Sequence, residues 1–230
     1  MANPVTVVFP LYPGVTQLDF TGPHQFLARL PGAGVIAASV AGKSVIADGL
    51  TFSDLAELEA IERCDVLCVP GGFGCTDAMR DEVYMAAIRR LAKSARYATS
   101  VCTGSLVLGA AGLLSGKRAA CHWAWRDMLA AFGAVPDPAR VVRDGNIITG
   151  GGVTAGIDLA LTLIAEIAGD LVAQTIQLGL EYAPAPPFDA GRPETAPRQA
   201  LESYVARLEP TMAKRRQAVQ AAATAMFRAA

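Results

Sequence analysis

Short β-branched apolar runs alternate with helix-forming segments along most of this chain, and that alternation restricts the fold more than any other feature. Val5-Thr-Val-Val-Phe9, Gly34 to Val40, Asp65 to Val69 and Tyr97 to Val101 read as buried strands. Between the last two lies Glu82 to Ser94, where Val83, Ala86, Ala87, Ile88 and Leu91 make the apolar side of a helix. Apolar strands separated by helices of this length predict a mostly parallel sheet covered on both faces. With 230 residues, 52% of them hydrophobic, the chain can bury the core that one such α/β domain needs.

The second half continues the pattern. Val141 to Ile148 predicts a hairpin around Asp144-Gly145-Asn146, which supplies the positive-φ residues of a tight turn. After Gly150-Gly151-Gly152, Val153 to Ala168 predicts an apolar helix buried on most sides. The prolines of Tyr182 to Phe188 forbid helix and mark an extended connector. Arg198 to Arg228 is helix-prone, with Lys214-Arg215-Arg216 read as a solvated face, or as part of a helix packing across a dimer. Residues 1–188 are therefore assigned to the α/β domain. Residues 189–230 form a connector and helix, part of the same domain or a dimer arm.

A net charge of -1 gives no electrostatic reason to bind nucleic acid. The first residues carry no basic segment, which argues against a signal peptide or anchor, and no apolar stretch approaches the roughly 18 residues of a membrane span. Five cysteines without a secretory signal predict free thiols in a reducing, cytoplasmic setting.

Chemistry is expected where strands end. In Tyr97-Ala-Thr-Ser-Val-Cys102-Thr-Gly-Ser-Leu, the β-branched run stops and a helix is expected to begin at the cysteine itself. A side chain in such a sharp turn is exposed, and helix amides aimed at its sulfur favour thiolate. The alternative is a small apolar cysteine filling a strand–helix contact. Asp19 follows the first strand, just upstream of a helix expected to open at Pro23. It is either a loop or cap acceptor or, beside a thiolate in an apolar site, a carboxylic acid with a raised pKa. Gly71-Gly72-Phe73-Gly74 is either a plain turn or a pocket whose amides stabilise an anion. Neither phosphate-loop pattern is present there.

His122 stands at the expected end of a short strand, as a dyad partner for Cys102 or an ordinary histidine. Cys64, Cys68 and Cys75 lack the spacing of a zinc site.

Several segments together carry a resemblance. They are Gln17-Leu-Asp19-Phe-Thr-Gly-Pro23, Pro70-Gly71-Gly72, Val101-Cys102-Thr-Gly-Ser with the following Leu-Val-Leu-Gly-Ala-Ala, His122-Trp123, Gly150 to Asp158 and Gln177 to Phe188. The chain resembles the ThiJ/PfpI superfamily over essentially its whole length, and within it the isocyanide hydratase branch. The resemblance implies a flavodoxin-like sandwich with a cysteine nucleophile elbow, a homodimer, Cys102 as nucleophile, Asp19 as its acid and Thr103 as an orienting group. The family's proteases place histidine directly after the cysteine; Thr103 stands there instead, which argues against peptidase activity.

The implied reaction is a hydro-lyase step on a small isocyanide. Thiolate attack leaves a lone pair on the isocyanide carbon, Asp19 protonates it, and water hydrolyses the thioimidate to an N-substituted formamide. No metal or organic cofactor is needed. Phe73, Trp123, Trp125 and Tyr182 are candidates for an apolar substrate wall. Two rival readings stand beside this one: a glyoxalase or deglycase of the same superfamily, and a sensor domain like that of AraC-type regulators. The roughly 40 residues after Phe188 are short for the two helix-turn-helix units such regulators carry.

Overall fold

The computed structural model describes residues 4–229. Residues 1–3 and 230, which the assigned ranges and the N-terminal reading include, lie outside the described residues. The strands are, in chain order, β1 (Val5–Pro10), β2 (Ala33–Ser39), β3 (Val45–Ala47), β4 (Leu50–Phe52), β5 (Ala56–Glu57), β6 (Val66–Val69), β7 (Tyr97–Val101), β8 (Arg118–Ala119), β9 (Val135–Pro136), β10 (Val141–Asp144) and β11 (Ile147–Gly150). The helices are α1 (Gln17–Leu27), α2 (Cys75–Ala78), α3 (Glu82–Ser94), α4 (Gly104–Ala110), α5 (Ala155–Ala168), α6 (Asp170–Gly179) and α7 (Arg198–Ala229).

Seven strands form one sheet in the order β10-β11-β7-β6-β1-β2-β5. Every neighbouring pair is parallel except β10 with β11, so the sheet is mostly parallel with one antiparallel edge. Strands β6 and β7, near the middle, are buried at every position. This explains why β6 reads as a continuous apolar run rather than an alternating one; β7 also buries Thr99 and Ser100, whose hydroxyls bond the Leu67 carbonyl and Ser105 Oγ. The predicted hairpin is β10–β11, with positive φ at Gly145 but not at its neighbours.

Three local expectations are corrected. Helix α1 opens at Gln17, six residues before Pro23, so Asp19 sits in its first turn. Its start needs no proline because the chain end is held from outside: the Asp48 carboxylate accepts from the Gln17 amide at 2.9 Å. Helix α4 begins at Gly104, two residues beyond Cys102. Helix α5 is buried along one side, through Leu159, Ala160, Leu163 and Ile164, not on most sides.

A second, shorter hairpin was not anticipated. Strands β3 and β4 pair around Asp48 and Gly49, whose φ values of 49° and 82° suit a two-residue turn of matching twist. It is this turn that carries Asp48 to the start of α1. Helices α1 and α5 pack together over Gly156, where an added Cβ would lie 3.0 Å from Pro23 Cδ and 3.2 Å from Val101 Cγ2. Helix α7 packs against α4 and the 126–132 turn, and its Met212, Val219 and Ala223 join the same apolar core. Among the described residues no helix is long and apolar enough to cross a membrane.

Candidate active site

The turn after β7 puts Cys102 in the left-handed region, with φ of 57°. For a residue with a Cβ this conformation costs of order 1–3 kcal/mol and persists only where its surroundings enforce it. Here the Cys102 amide donates to the Gly150 carbonyl at 3.1 Å, extending the β7–β11 ladder by one bond. Gly104, two residues on, lies so close to β6 that an added Cβ would collide with the Val69 and Pro70 carbonyls. The cysteine thus sits in a strand-to-helix elbow pressed against the end of the neighbouring strand.

Asp19 is brought to the same place by α1. It is completely buried, and its Oδ2 accepts from the Gly71 amide at 3.0 Å. Its Oδ1 has no hydrogen-bond partner. A Cβ added at Gly71 would lie 2.6 Å from Asp19 Oδ2, 2.9 Å from Cys102 Cβ and 2.5 Å from the Thr103 amide nitrogen, so carboxyl, cysteine elbow and following amide converge on one point. Burial pushes the Asp19 carboxyl up to about 7, and the Cys102 thiol and Gly71 amide pull it back only in part.

The thiol departs from its expectation. Burial pushes Cys102 well above the ordinary thiol range, the Asp19 charge pushes it further, and the Thr103 amide opposes this. Helix α4 is too short and too far along the chain to outweigh the loss of water around the sulfur. Two buried acids that repel each other's charge titrate as a pair, holding one proton between them over a wide pH range.

The glycine turn also differs from the expected anion pocket. The Gly71 amide is used by Asp19, and the Gly72 amide donates to Thr103 Oγ1 at 2.8 Å. The Thr103 hydroxyl in turn donates to the Gly72 carbonyl at 3.0 Å. These groups hold the elbow and the loop together rather than facing a ligand. An added Cβ at Gly72 would collide with the Gly14 carbonyl, which is why glycine stands there.

Cys102, Thr103, Gly72 and Phe73 line a cavity of about 240 Å³. Trp125 and His122 also line it. Burial lowers the His122 pKa, so its ring is neutral near pH 7, and its Nδ1 accepts from the Ala124 amide at 3.3 Å. His122 lies in a loop beyond β8, not at a strand end as expected. The loop is held by Ala120, whose carbonyl accepts from Ser105 Oγ at 2.6 Å and whose amide donates to Thr149 Oγ1 at 2.8 Å.

Two expected wall residues are elsewhere. Tyr182 packs its ring on Phe26 and donates to Asp158 Oδ1 at 2.9 Å. Trp123 stacks on His122, lies tilted against Tyr204 and faces a neighbouring cleft. Sequence reasoning missed Thr16, Asp48, Val153 and Tyr204, which complete the cavity. The Asp48-Gly49 dipeptide between Val45-Ile-Ala47 and Leu50-Thr-Phe52 is a hairpin signal that finds Asp48; Tyr204, on α7, has no local signal.

The other four cysteines are buried free thiols; Cys64, Cys68 and Cys75 are raised by burial to about 12, about 12 and about 11. Among the described residues no group of three or more His, Cys, Asp or Glu side chains is arranged to hold a metal ion.

The sequence profile of the DJ-1/PfpI family matches residues 5–166. The chain is 50% identical over 219 residues to a Pseudomonas putida protein named isonitrile hydratase, covering 94% of this chain and 95% of that one. It is 31% identical over 177 residues to the HTH-type transcriptional regulator CdhR of Pseudomonas aeruginosa, covering 72% of this chain and 51% of the regulator. Among solved structures, a ThiJ/PfpI family protein from Pseudomonas syringae superposes with a TM-score of 0.90 at 40% identity, covering 96% of this chain and 91% of that one. The chain belongs to the DJ-1/PfpI family.

Proposed function

We propose that the protein hydrates isocyanides to N-substituted formamides, with Cys102 as nucleophile, Asp19 as proton carrier and Thr103 as the group that holds their geometry. The observation that carries this reading is a buried carboxyl with one unpartnered oxygen beside a cysteine elbow. The 50% identity to isonitrile hydratase over nearly the whole chain supports the substrate class.

The steps follow from the proton the pair shares. Transfer of the Cys102 proton to Asp19 leaves a thiolate next to a neutral acid, which removes their repulsion. The sulfur attacks the terminal isocyanide carbon, forming a C–S bond, and Asp19 delivers its proton to the lone pair left on that carbon. The product of this step is a thioimidate, and Asp19 is again an anion. It accepts a proton from water as that water adds to the thioimidate carbon. In the adduct the hydroxyl proton passes to the nitrogen as the C=O bond forms and the C–S bond breaks, which expels the thiolate and releases the formamide with its N–H. The proton that Asp19 took from water leaves the pair holding one proton, as at the start. The negative charge stays on nitrogen and carbon rather than on a carbonyl oxygen, so the occupied Gly71 and Gly72 amides are no obstacle.

The test is formamide production from a simple alkyl or aryl isocyanide by wild type, Cys102→Ala and Asp19→Asn. Undiminished turnover by the cysteine variant overturns the covalent route. The identity to a transcriptional regulator favours a second reading, a sensor that binds its ligand without turning it over; binding of an isocyanide without formamide release would select it. The homodimer and cytoplasmic setting belong to the same proposal, and sedimentation at micromolar concentration tests the first.

A further inference from the structure

A larger cleft of about 540 Å³ adjoins the Cys102 cavity, with His122 and Val153 belonging to the walls of both. A substituent leaving the reacting carbon and passing these two side chains enters the cleft. Three arginines line it: Arg126, Arg140 and Arg192. Arg140 is committed, pairing with Asp158 and donating to Thr154 Oγ1 at 3.1 Å. Arg126 and Arg192 make no ion pair among the described residues. Arg126 is half-buried, and its charge reaches the Cys121 thiol at the inner end of the cleft, where it opposes the upward push of burial. Glu194, an exposed carboxylate on the rim, is the one uncommitted negative group lining the cleft.

We infer that this cleft selects isocyanides whose substituent carries a carboxylate, with Arg126 as the anchoring cation and Arg192 at the rim. The inference rests on the hydratase reading and deepens it. A partly desolvated guanidinium with no protein partner gains most from an anion that matches its planar pair of donors, and a carboxylate does so. A neutral substituent would leave Arg126 in the cleft unpaired. The substrate class is thus a short isocyano acid, whose hydration product is an N-formyl amino acid.

The test uses isocyanoacetate and its methyl ester, which differ in charge at one end and not in the reacting group. Wild type is expected to show the higher kcat/KM with the acid, through a lower KM. In Arg126→Met the acid-to-ester ratio of kcat/KM falls at least about tenfold, the loss that about 1.4 kcal/mol of pairing represents. Arg126→Lys, which keeps charge but not the planar fork, restores part of the ratio and guards against a folding defect. A ratio near one in wild type, or one unchanged in Arg126→Met, overturns the inference while leaving hydration intact. Calorimetric binding of N-formylglycine is independent of turnover. Binding that weakens in Arg126→Met supports the anion subsite even if no isocyanide is hydrated, and binding unaffected by the substitution overturns it.

Discussion

The Thr103 hydroxyl bonds both backbone groups of Gly72, accepting from its N–H at 2.8 Å and donating to its carbonyl at 3.0 Å. One side chain therefore ties the residue after Cys102 to the loop whose preceding amide, that of Gly71, holds Asp19. Removing the hydroxyl leaves the buried Gly72 N–H unsatisfied, at about 1–3 kcal/mol where no water replaces it, while the Gly72 carbonyl keeps the Cys75 amide at 3.2 Å. Thr103→Val, equal in shape, is expected to lower stability by about 2 kcal/mol and to lower kcat more than it raises KM. Thr103→Ser, which keeps the hydroxyl, restores most of both. Urea denaturation alongside steady-state kinetics measures the two effects together.

Gly71 is the point on which Asp19, Cys102 and Thr103 converge, and a methyl group has no room there. Gly71→Ala would place a carbon 2.6 Å from Asp19 Oδ2, 2.9 Å from Cys102 Cβ and 2.5 Å from the Thr103 amide nitrogen, which is backbone and cannot rotate away. The carboxyl and thiol must separate. A displacement near 1 Å between reacting groups costs about a hundredfold in rate, so turnover should fall by that factor or more while the protein still folds. Turnover within threefold of wild type would show that the convergence is not needed.

The pH dependence follows from the Asp19–Cys102 pair. Asp19 releases its proton at about 7, while the Cys102 thiol lies well above its ordinary range. The competent form holds one proton, so kcat/KM should rise through about pH 7 and fall only at strongly alkaline pH. Asp19→Asn removes the acceptor for the thiol proton; activity should drop by about 10²–10⁴ and its remaining acid limb should move up toward the thiol's own ionisation. A profile that falls as pH rises through 7 would mean that doubly protonated enzyme is the active form.

The same carboxyl makes stability depend on pH in a direction opposite to most acidic groups. Its folded pKa is raised, so the folded state keeps a proton that the unfolded chain releases near pH 4. The contribution is full below about pH 4 and is lost as pH rises through about 7. Asp19→Asn has no ionising group there and loses this pH dependence. The variant should therefore gain on wild type between pH 5 and pH 8, by a few kcal/mol, and denaturation midpoints of the two proteins at both pH values read this directly.

How much of this was legible in the sequence depended on whether the controlling contact was local. Strand β7 and its elbow announce themselves in Tyr97 to Cys102 because composition changes abruptly there. The bounds of helix α3, Glu82 to Ser94, are legible in its helix-forming composition, but its buried side runs through Tyr84, Met85, Ala87, Ile88 and Leu91, leaving Val83 and Ala86 exposed. The start of α1 was misplaced because its cap, Asp48, lies 31 residues away on another hairpin. The direction in which Cys102 moves is hidden for a similar reason: a helix is visible along the chain, while burial of the sulfur and the Asp19 charge beside it are not. Tyr204 and Arg215 reach the site only because α7 folds back on α4, a packing that no local pattern encodes.

Arg215 provides the last prediction. Its guanidinium carbon sits 4.3 Å from the centre of the Phe73 ring and 4.9 Å from that of Trp125, so it backs two walls of the Cys102 cavity. Burial lowers its pKa, and its Nη1 is buried without a partner. The stacking is favourable, of order 0.5–2 kcal/mol per ring, but the orphaned donor offsets it by about 1–3 kcal/mol. Arg215→Met keeps an unbranched, polarisable chain against both rings and removes the donor. Stability should stay within about 1 kcal/mol of wild type, whereas Arg215→Ala, which leaves Phe73 and Trp125 unsupported, should lose about 2 kcal/mol and raise KM several-fold with kcat little changed. Equal losses in the two variants would show that the charge, not the packed chain, holds the aromatic wall.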